Sequence, residues 1–125
     1  MNTKRIFIWI LVIALIASGI FFLIKKNNEP GKLDSFALCL SEKGAVFYGA
    51  FWCPHCQSQK TLFGKSQKLL PYVECSTPDG KGQLVVCKEK NVTEYPTWDF
   101  SDGERLSGEI SLSELSQKTG CPLPL

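Results

Sequence analysis

Nineteen uncharged and mostly apolar residues, Ile6 to Ile24, open the hydropathy pattern. At about 1.5 Å per residue, a helix of that length nearly spans a hydrocarbon core of roughly 30 Å. Ser18 and Gly19 are its weakly apolar interruptions. A cleaved signal peptide has a shorter apolar core. Cleavage near Ala17-Ser18-Gly19 would leave Ile20 to Ile24 exposed, so an uncleaved anchor over residues 1–24 is expected. Residues 25–32, with Asn27-Asn28-Glu29-Pro30-Gly31, read as a linker. The rest, 33–125, is long enough for one domain.

That domain alternates between helical and strand patterns. Asp34-Ser35 offers an N-cap, Phe36, Cys39, Leu40 and Lys43 share a helical face, and Gly44 offers a stop. Val46 to Phe51 is β-branched, aromatic and almost continuously apolar, which suits a central strand buried on both faces. A helix from Cys53 carries Leu62, Phe63, Leu69 and Leu70, with a weak point at Gly64, and Pro71 ends it. Tyr72 to Cys75 predicts a second strand, parallel to the first through a right-handed crossover. Ser76 to Gly82 is turn-rich, and Leu84 to Lys90 predicts a short helix carrying Cys87. Thr97–Phe100 and Arg105–Glu109 flank an Asp-Gly turn and predict a hairpin. Ser111-Leu112-Ser113-Glu114 has the form of a capping box opening a last helix, which Gly120 stops.

Charge divides the chain in two. Of fourteen basic and twelve acidic side chains, five basic and one acidic fall in residues 1–32. Nine basic and eleven acidic remain, so the domain has no basic field for nucleic acid. The positive charges flank the apolar segment, where they meet phospholipid headgroups. They flank it on both sides, so they barely fix its orientation. The cysteines do: six, all of them in the small domain, fit an oxidising compartment, with the domain on the extracytoplasmic side.

The chemistry centres on Trp52-Cys53-Pro54-His55-Cys56. Two thiols separated by two residues can close and reopen as a disulfide. A strand delivers them, and the helix beginning at Cys53 offers free N–H groups and a positive dipole end that favour a thiolate. Pro54 suits the first helical turn. His55 adds a positive partner near neutral pH. A stabilised thiolate is a better leaving group and makes the disulfide a stronger oxidant. Cys53 is therefore the expected attacking sulfur, at the exposed helix start. Cys56, one turn in, is the expected resolving sulfur, and Trp52 the rim. A zinc site would need about four ligands, and His55 is the chain's one histidine, so no metal is expected. A purely structural bridge this short would constrain little of the unfolded chain.

Trp52-Cys53-Pro54-His55-Cys56 resembles the active site of the thioredoxin superfamily, with the Pro-His dipeptide of DsbA-type oxidases. Tyr48 to Cys56, Leu70 to Cys75 and Tyr95-Pro96-Thr97-Trp98 together resemble the thioredoxin-like domain fused to bacterial homologues of vitamin K epoxide reductase, over about Leu33 to Gly120. The resemblance implies an α/β thioredoxin fold, a central mixed sheet flanked by helices, here with an extra N-terminal helix after one transmembrane helix. It implies a cis Tyr95–Pro96 bond opposite the cysteine pair, where the Tyr95 backbone can pair with an extended substrate. Thioredoxins keep a buried acid in the strand before the motif. Phe47 occupies that position here, leaving Cys56 without an evident proton acceptor, which counts against an efficient reductase.

Cys75 and Cys87 would close a loop of about a dozen residues, worth roughly 3 kcal/mol in the chain-entropy model. Cys39 and Cys121 would pin the two ends of the domain, although four cysteines allow three connectivities. The leading expectation is a membrane-anchored disulfide oxidase acting on exported cysteine-containing proteins. It carries no cofactor beyond its own redox-active disulfide. A quinone-reducing membrane partner of the vitamin K epoxide reductase or DsbB type would reoxidise it. A reductase or isomerase fed by a transmembrane donor, and a non-catalytic binding or assembly module, are the alternatives.

Overall fold

The computed structural model describes residues 2–27 and 29–124. The expected linker thus includes Asn28, and the expected domain ends at Leu125, which both lie outside the described residues. The chain divides into two compact units, Met1–Pro30 and Gly31–Leu125.

The first unit is one helix, α1, Thr3–Asn27. It extends past the apolar run at both ends, through Lys4-Arg5 and Lys25-Lys26, because lysine and arginine are good helix formers and nothing in those turns breaks the ladder. It is long and apolar enough to cross a membrane, and its length, composition and position suit an anchor or a signal sequence alike.

The second unit is a mixed α/β domain. Its elements are α2 (Asp34–Glu42), β1 (Val46–Gly49), α3 (Pro54–Thr61), a 3₁₀ segment (Gly64–Leu69), β2 (Tyr72–Glu74), α4 (Val85–Glu89), β3 (Thr97–Asp99), β4 (Arg105–Ser107) and α5 (Leu112–Thr119). The sheet order is β2-β1-β3-β4. β1 pairs in parallel with β2, Phe47 opposite Tyr72, and antiparallel with β3, Phe47 opposite Trp98. β3 and β4 form the hairpin, with Trp98 opposite Leu106.

Alternation along β1 separates two apolar layers. Phe47 faces the larger one, stacked on Trp98 with ring centroids 4.8 Å apart and met edge-on by Tyr72 at 5.1 Å. Phe36, Leu40, Phe63, Ile110 and Leu115 complete that layer. Tyr48 faces the smaller one, with Cys75, Cys87 and Val92. Disulfides sit in both: Cys39–Cys121 joins α2 to the chain just past α5, and Cys75–Cys87 joins the end of β2 to α4.

Several boundaries differ from the sequence expectation. α2 begins at Asp34 itself, behind Leu33, and no side chain caps it; the Leu33 amide instead donates to Ser66 Oγ at 3.0 Å. β1 stops at Gly49, and Phe51, expected at the buried end of the strand, is about half exposed. The long helix expected after Cys53 breaks after Thr61 and resumes as the 3₁₀ segment at Gly64, whose φ is +52°. Leu62, expected inward, is exposed, while Phe63 and Leu70 are buried. The break lets Phe63 stack on Phe36, 5.9 Å between centroids. A continuous helix would have carried the two leucines and Phe63 round a single face. At α5 the Ser111 side chain accepts from the Glu114 amide at 3.2 Å.

Gln59 ties α3 to the chain entering α5. It is fully buried. Its Nε2 donates to the Ile110 carbonyl at 2.9 Å, and its Oε1 accepts from the Ile110 amide at 2.7 Å. Both ends of the side-chain amide are satisfied by one residue. Replacing Gln59 by Leu leaves a buried N–H and C=O unpaired, each worth about 1–3 kcal/mol. Urea unfolding of the Gln59→Leu variant is expected to show a loss of about 2–4 kcal/mol with an unchanged m-value.

Candidate active site: two thiols at a helix start

Cys53 is the N-cap of α3, with extended backbone (φ −78°, ψ 117°), and Pro54 takes the first helical position. Proline has no N–H to leave unpaired there, and its fixed φ suits the turn. The first free amide that can reach back is that of Cys56, which donates to Cys53 Sγ at 3.3 Å. The two sulfurs belong to one local motif, and both are free thiols, whereas Cys39, Cys75, Cys87 and Cys121 are bridged.

Both cysteines are buried. Cys53 retains 5% of its surface and Cys56 none. The order agrees with an outer and an inner thiol, but Cys53 is far more covered than a residue at the start of an exposed helix turn would be. Part of the cover is the Tyr95–Pro96 segment. The Tyr95–Pro96 bond is cis, Pro96 is buried, and the Tyr95 carbonyl lies 3.7 Å from Cys53 Sγ.

Trp52 stands at the rim. It is about half exposed, its Nε1 donates to Ser76 Oγ at 2.8 Å, and its ring meets Tyr95 edge-on at 6.1 Å. The Tyr95 hydroxyl accepts from Gln83 Nε2 at 2.8 Å, which also donates to the Val92 carbonyl. A point above Gly80 lies within 3.7 Å of both Trp52 and Phe51. The loop closed by Cys75–Cys87 thus flanks the aromatic rim.

His55 points elsewhere than the sequence alone would place it. Its Nδ1 lies 2.7 Å from Glu109 Oε1, and 73% of its side chain is exposed. Any charge on the imidazole is shared with a carboxylate and screened by water. Near Cys53 the helix amide is the better placed stabiliser of negative charge.

Cys56 lies in a tight pocket. A Cβ on Gly49 would come within 2.9 Å of Cys56 Sγ and 2.8 Å of Tyr72 Cε2. Glycine at this strand position lets the sulfur and the ring edge close over β1. Burial pushes the Cys56 thiol up to about 12, and its hydrogen bond with Cys53 adds to the rise. At neutral pH it is protonated. Burial also raises the Tyr72 hydroxyl, helped by Glu74. That hydroxyl donates to Glu74 Oε2 at 2.8 Å, and Glu74 Oε1 accepts from the Phe51 and Ser76 amides. Gln59 and Glu109 escape motif reading, and Tyr72 and Glu74 fall in the Leu70–Cys75 stretch without a role that the sequence assigns them. The faint signal for Gln59 is its place on the inward face of α3, three residues after Cys56 and four before Phe63. Among the described residues, no three His, Cys, Asp or Glu gather to hold a metal ion.

This arrangement can exchange a disulfide between an outer sulfur held by a helix amide and an inner one kept as thiol. No protein-family model matches the chain. The thiol-disulfide oxidoreductase LTO1 of Arabidopsis thaliana is 47% identical to it over 105 residues, 80% of this chain and 27% of the relative. The two are homologues. The chain spans about a quarter of the relative's length, so the likeness belongs to the part with the cysteine pair and not to the whole of LTO1.

The unequal thiols give a direct test. With both reduced, brief alkylation by iodoacetamide at pH 7 is expected to mark Cys53 well ahead of Cys56, because a thiol at about 12 is almost wholly protonated there. Peptide mass mapping reads the ratio, and the Cys56 share is expected to grow as pH rises toward 12.

Proposed function

We propose that this chain is a membrane-anchored protein disulfide oxidase with a thioredoxin fold. The observation that carries the reading is the contrast among the cysteines. Four are paired, as in a protein of an oxidising compartment. Cys53 and Cys56 alone among the described residues stand as neighbouring thiols, at a helix start and beside a cis proline. The parallel β2-β1 pair, the antiparallel hairpin and the homology to a thiol-disulfide oxidoreductase support the fold and the chemistry together. α1 is the anchor, and the domain works on the extracytoplasmic side.

In the oxidised protein a substrate thiolate attacks Cys53 Sγ. The Cys53–Cys56 bond breaks, and Cys56 leaves with the electron pair and takes a proton. A second substrate thiolate then attacks the substrate sulfur of the mixed disulfide, and Cys53 leaves as thiolate. The substrate, an exported protein with two cysteines, has lost two electrons and two protons; the chain has gained both electrons and, on Cys56, one proton, and the other proton goes to solvent. Trp52, Tyr95 and Pro96 form the surface against which an extended substrate lies. A quinone-reducing membrane protein of the vitamin K epoxide reductase or DsbB type takes the electrons on.

Two measurements test this. Cys56→Ala is expected to accumulate mixed disulfides through Cys53, visible as reductant-sensitive adducts on gels, and Cys53→Ala to accumulate none. Adducts through Cys56 would reverse the roles, and none in either variant would favour a binding module. Equilibration with glutathione is expected to place the potential well above the roughly −270 mV of thioredoxin, toward the about −120 mV of DsbA. A value at or below thioredoxin's would make the chain a reductase.

A further inference from the structure

In every thiol–disulfide cycle the inner cysteine must at some point attack as a thiolate. Here that cysteine is fully buried. Few charged or titratable groups face it. From α3 come Cys53 and Lys60. From β2 comes Tyr72, with Glu74 behind it. The nearby residues of β1 and its end, Phe47, Gly49 and Ala50, bring no ionisable side chain. His55, on the first turn of α3, is engaged outside by Glu109.

Lys60 is the one cation in that set, and three constraints place it. It lies four residues after Cys56 in α3, one turn along the same face. Its Nζ sits 3.4 Å from the centroid of the Tyr72 ring, a cation–π contact. The edge of that ring and Cys56 Sγ crowd the same point above Gly49. The ring itself cannot swing away easily, because its hydroxyl is tied to Glu74 and Glu74 is tied to two backbone amides.

We infer that Lys60, held over the Tyr72 ring, is the positive partner that lets buried Cys56 attack, with Tyr72 and Glu74 as the residues that position it. This rests on the oxidoreductase reading. In the step concerned, Cys53 is joined to a second sulfur. Cys56 gives its proton to solvent base and attacks Cys53 Sγ, the bond to the second sulfur breaks, and that sulfur leaves with the electron pair. Lys60 stabilises the Cys56 charge before the attack; its electrostatic pull on the thiol is in that direction and adds to the larger effect of the hydrogen bond with the Ala50 backbone.

The full chain in detergent micelles, with Cys53 and Cys56 reduced, separates the two sulfurs when mixed with one equivalent of dithiobis(nitrobenzoate). Attack by Cys53 releases one coloured thionitrobenzoate and leaves the other attached. Attack by Cys56 releases the second. Lys60→Met is expected to slow the second phase about tenfold at pH 7, move its pH profile up by about one unit, and leave the first phase unchanged. Lys60→Arg is expected to restore wild-type behaviour. Tyr72→Leu should resemble Lys60→Met, while Tyr72→Phe, which keeps the ring under Lys60 but frees it from Glu74, should slow the second phase by a smaller factor. A Lys60→Met second phase with wild-type rate and pH profile overturns the inference. So does equal slowing in Lys60→Arg, which would mean that packing matters and charge does not. Absence of the first phase in the wild-type chain would overturn the oxidoreductase reading itself, with the inference falling alongside it.

Discussion

The site depends on the close approach of α3 to β1 at Gly49. A strand residue with any side chain would push Cys56 Sγ and the Tyr72 ring apart, since its Cβ would stand within 2.9 Å of both. With glycine there, the inner sulfur is sealed against the strand and the ring closes beside it. That contact sets the inequality of the two thiols. Cys53, three residues earlier, receives the amide of the helix turn, while Cys56 loses its water and is pushed toward the protonated form. Much else keeps α3 at that distance. Gln59 ties its middle to Ile110, and the Phe63–Phe36 stack holds the break that follows its end.

The two apolar layers divide the work. The Phe47 layer carries α3 and the inner sulfur, closed at its ends by Cys39–Cys121. The Tyr48 layer carries Cys75–Cys87, and so fixes the loop beside Trp52 and Phe51. One β-strand with alternating side chains serves both, so a register slip of one residue in β1 would exchange Phe47 and Tyr48 and disrupt both layers together. The polar latches lie farther out. Arg105 holds Asp99 with two nitrogens and the Lys90 and Asn91 carbonyls with the same guanidinium, joining the hairpin to the end of α4. Lys118 ties α5 to Asp102 and Glu104 at the hairpin turn.

Most of the element order was legible because strong local signals coincide with tertiary needs. Pro54 after Cys53, the apolar run of Val46 to Ala50, the Asp-Gly turn and Ser111 each say the same thing at both levels. The misses share a cause. The helix after Cys53 breaks beside Gly64, the weak point the sequence offers, but the turn of Phe63 toward Phe36, with Leu62 left outside, follows from tertiary packing that no local propensity encodes. Asp34 looked like a cap, but the Ser66 side chain, thirty-three residues from Leu33, meets the incoming backbone instead. At the site, Cys53, Cys56 and Pro96 announce themselves by motif and resemblance. The roles of Lys60, Tyr72 and Glu74 do not, although the resemblance takes in the last two, because a lysine on a helix and a Tyr-Val-Glu strand are ordinary until folding brings them together beside one sulfur.

The identity of residue 47 links these observations. A phenylalanine there gives the layer an aromatic stack with Trp98 and Tyr72 and removes any ionisable group from β1 beneath the cysteines. From the sequence, that looked like the loss of any group to help Cys56 ionise. In the structure, charge returns from the neighbouring elements: Lys60 from α3, with Tyr72 and Glu74 from β2. A carboxylate on β1 would lie in the apolar layer, where burying an unpaired charge is costly. An ammonium held over an aromatic face, at the end of a long flexible stem, keeps contact with water and still acts on the sulfur. Support of this kind favours ionisation of Cys56 by its positive charge, whereas a carboxylate would act by accepting the proton. It leaves Cys53 to the groups that lie against its sulfur, the Cys56 amide and the Tyr95 carbonyl.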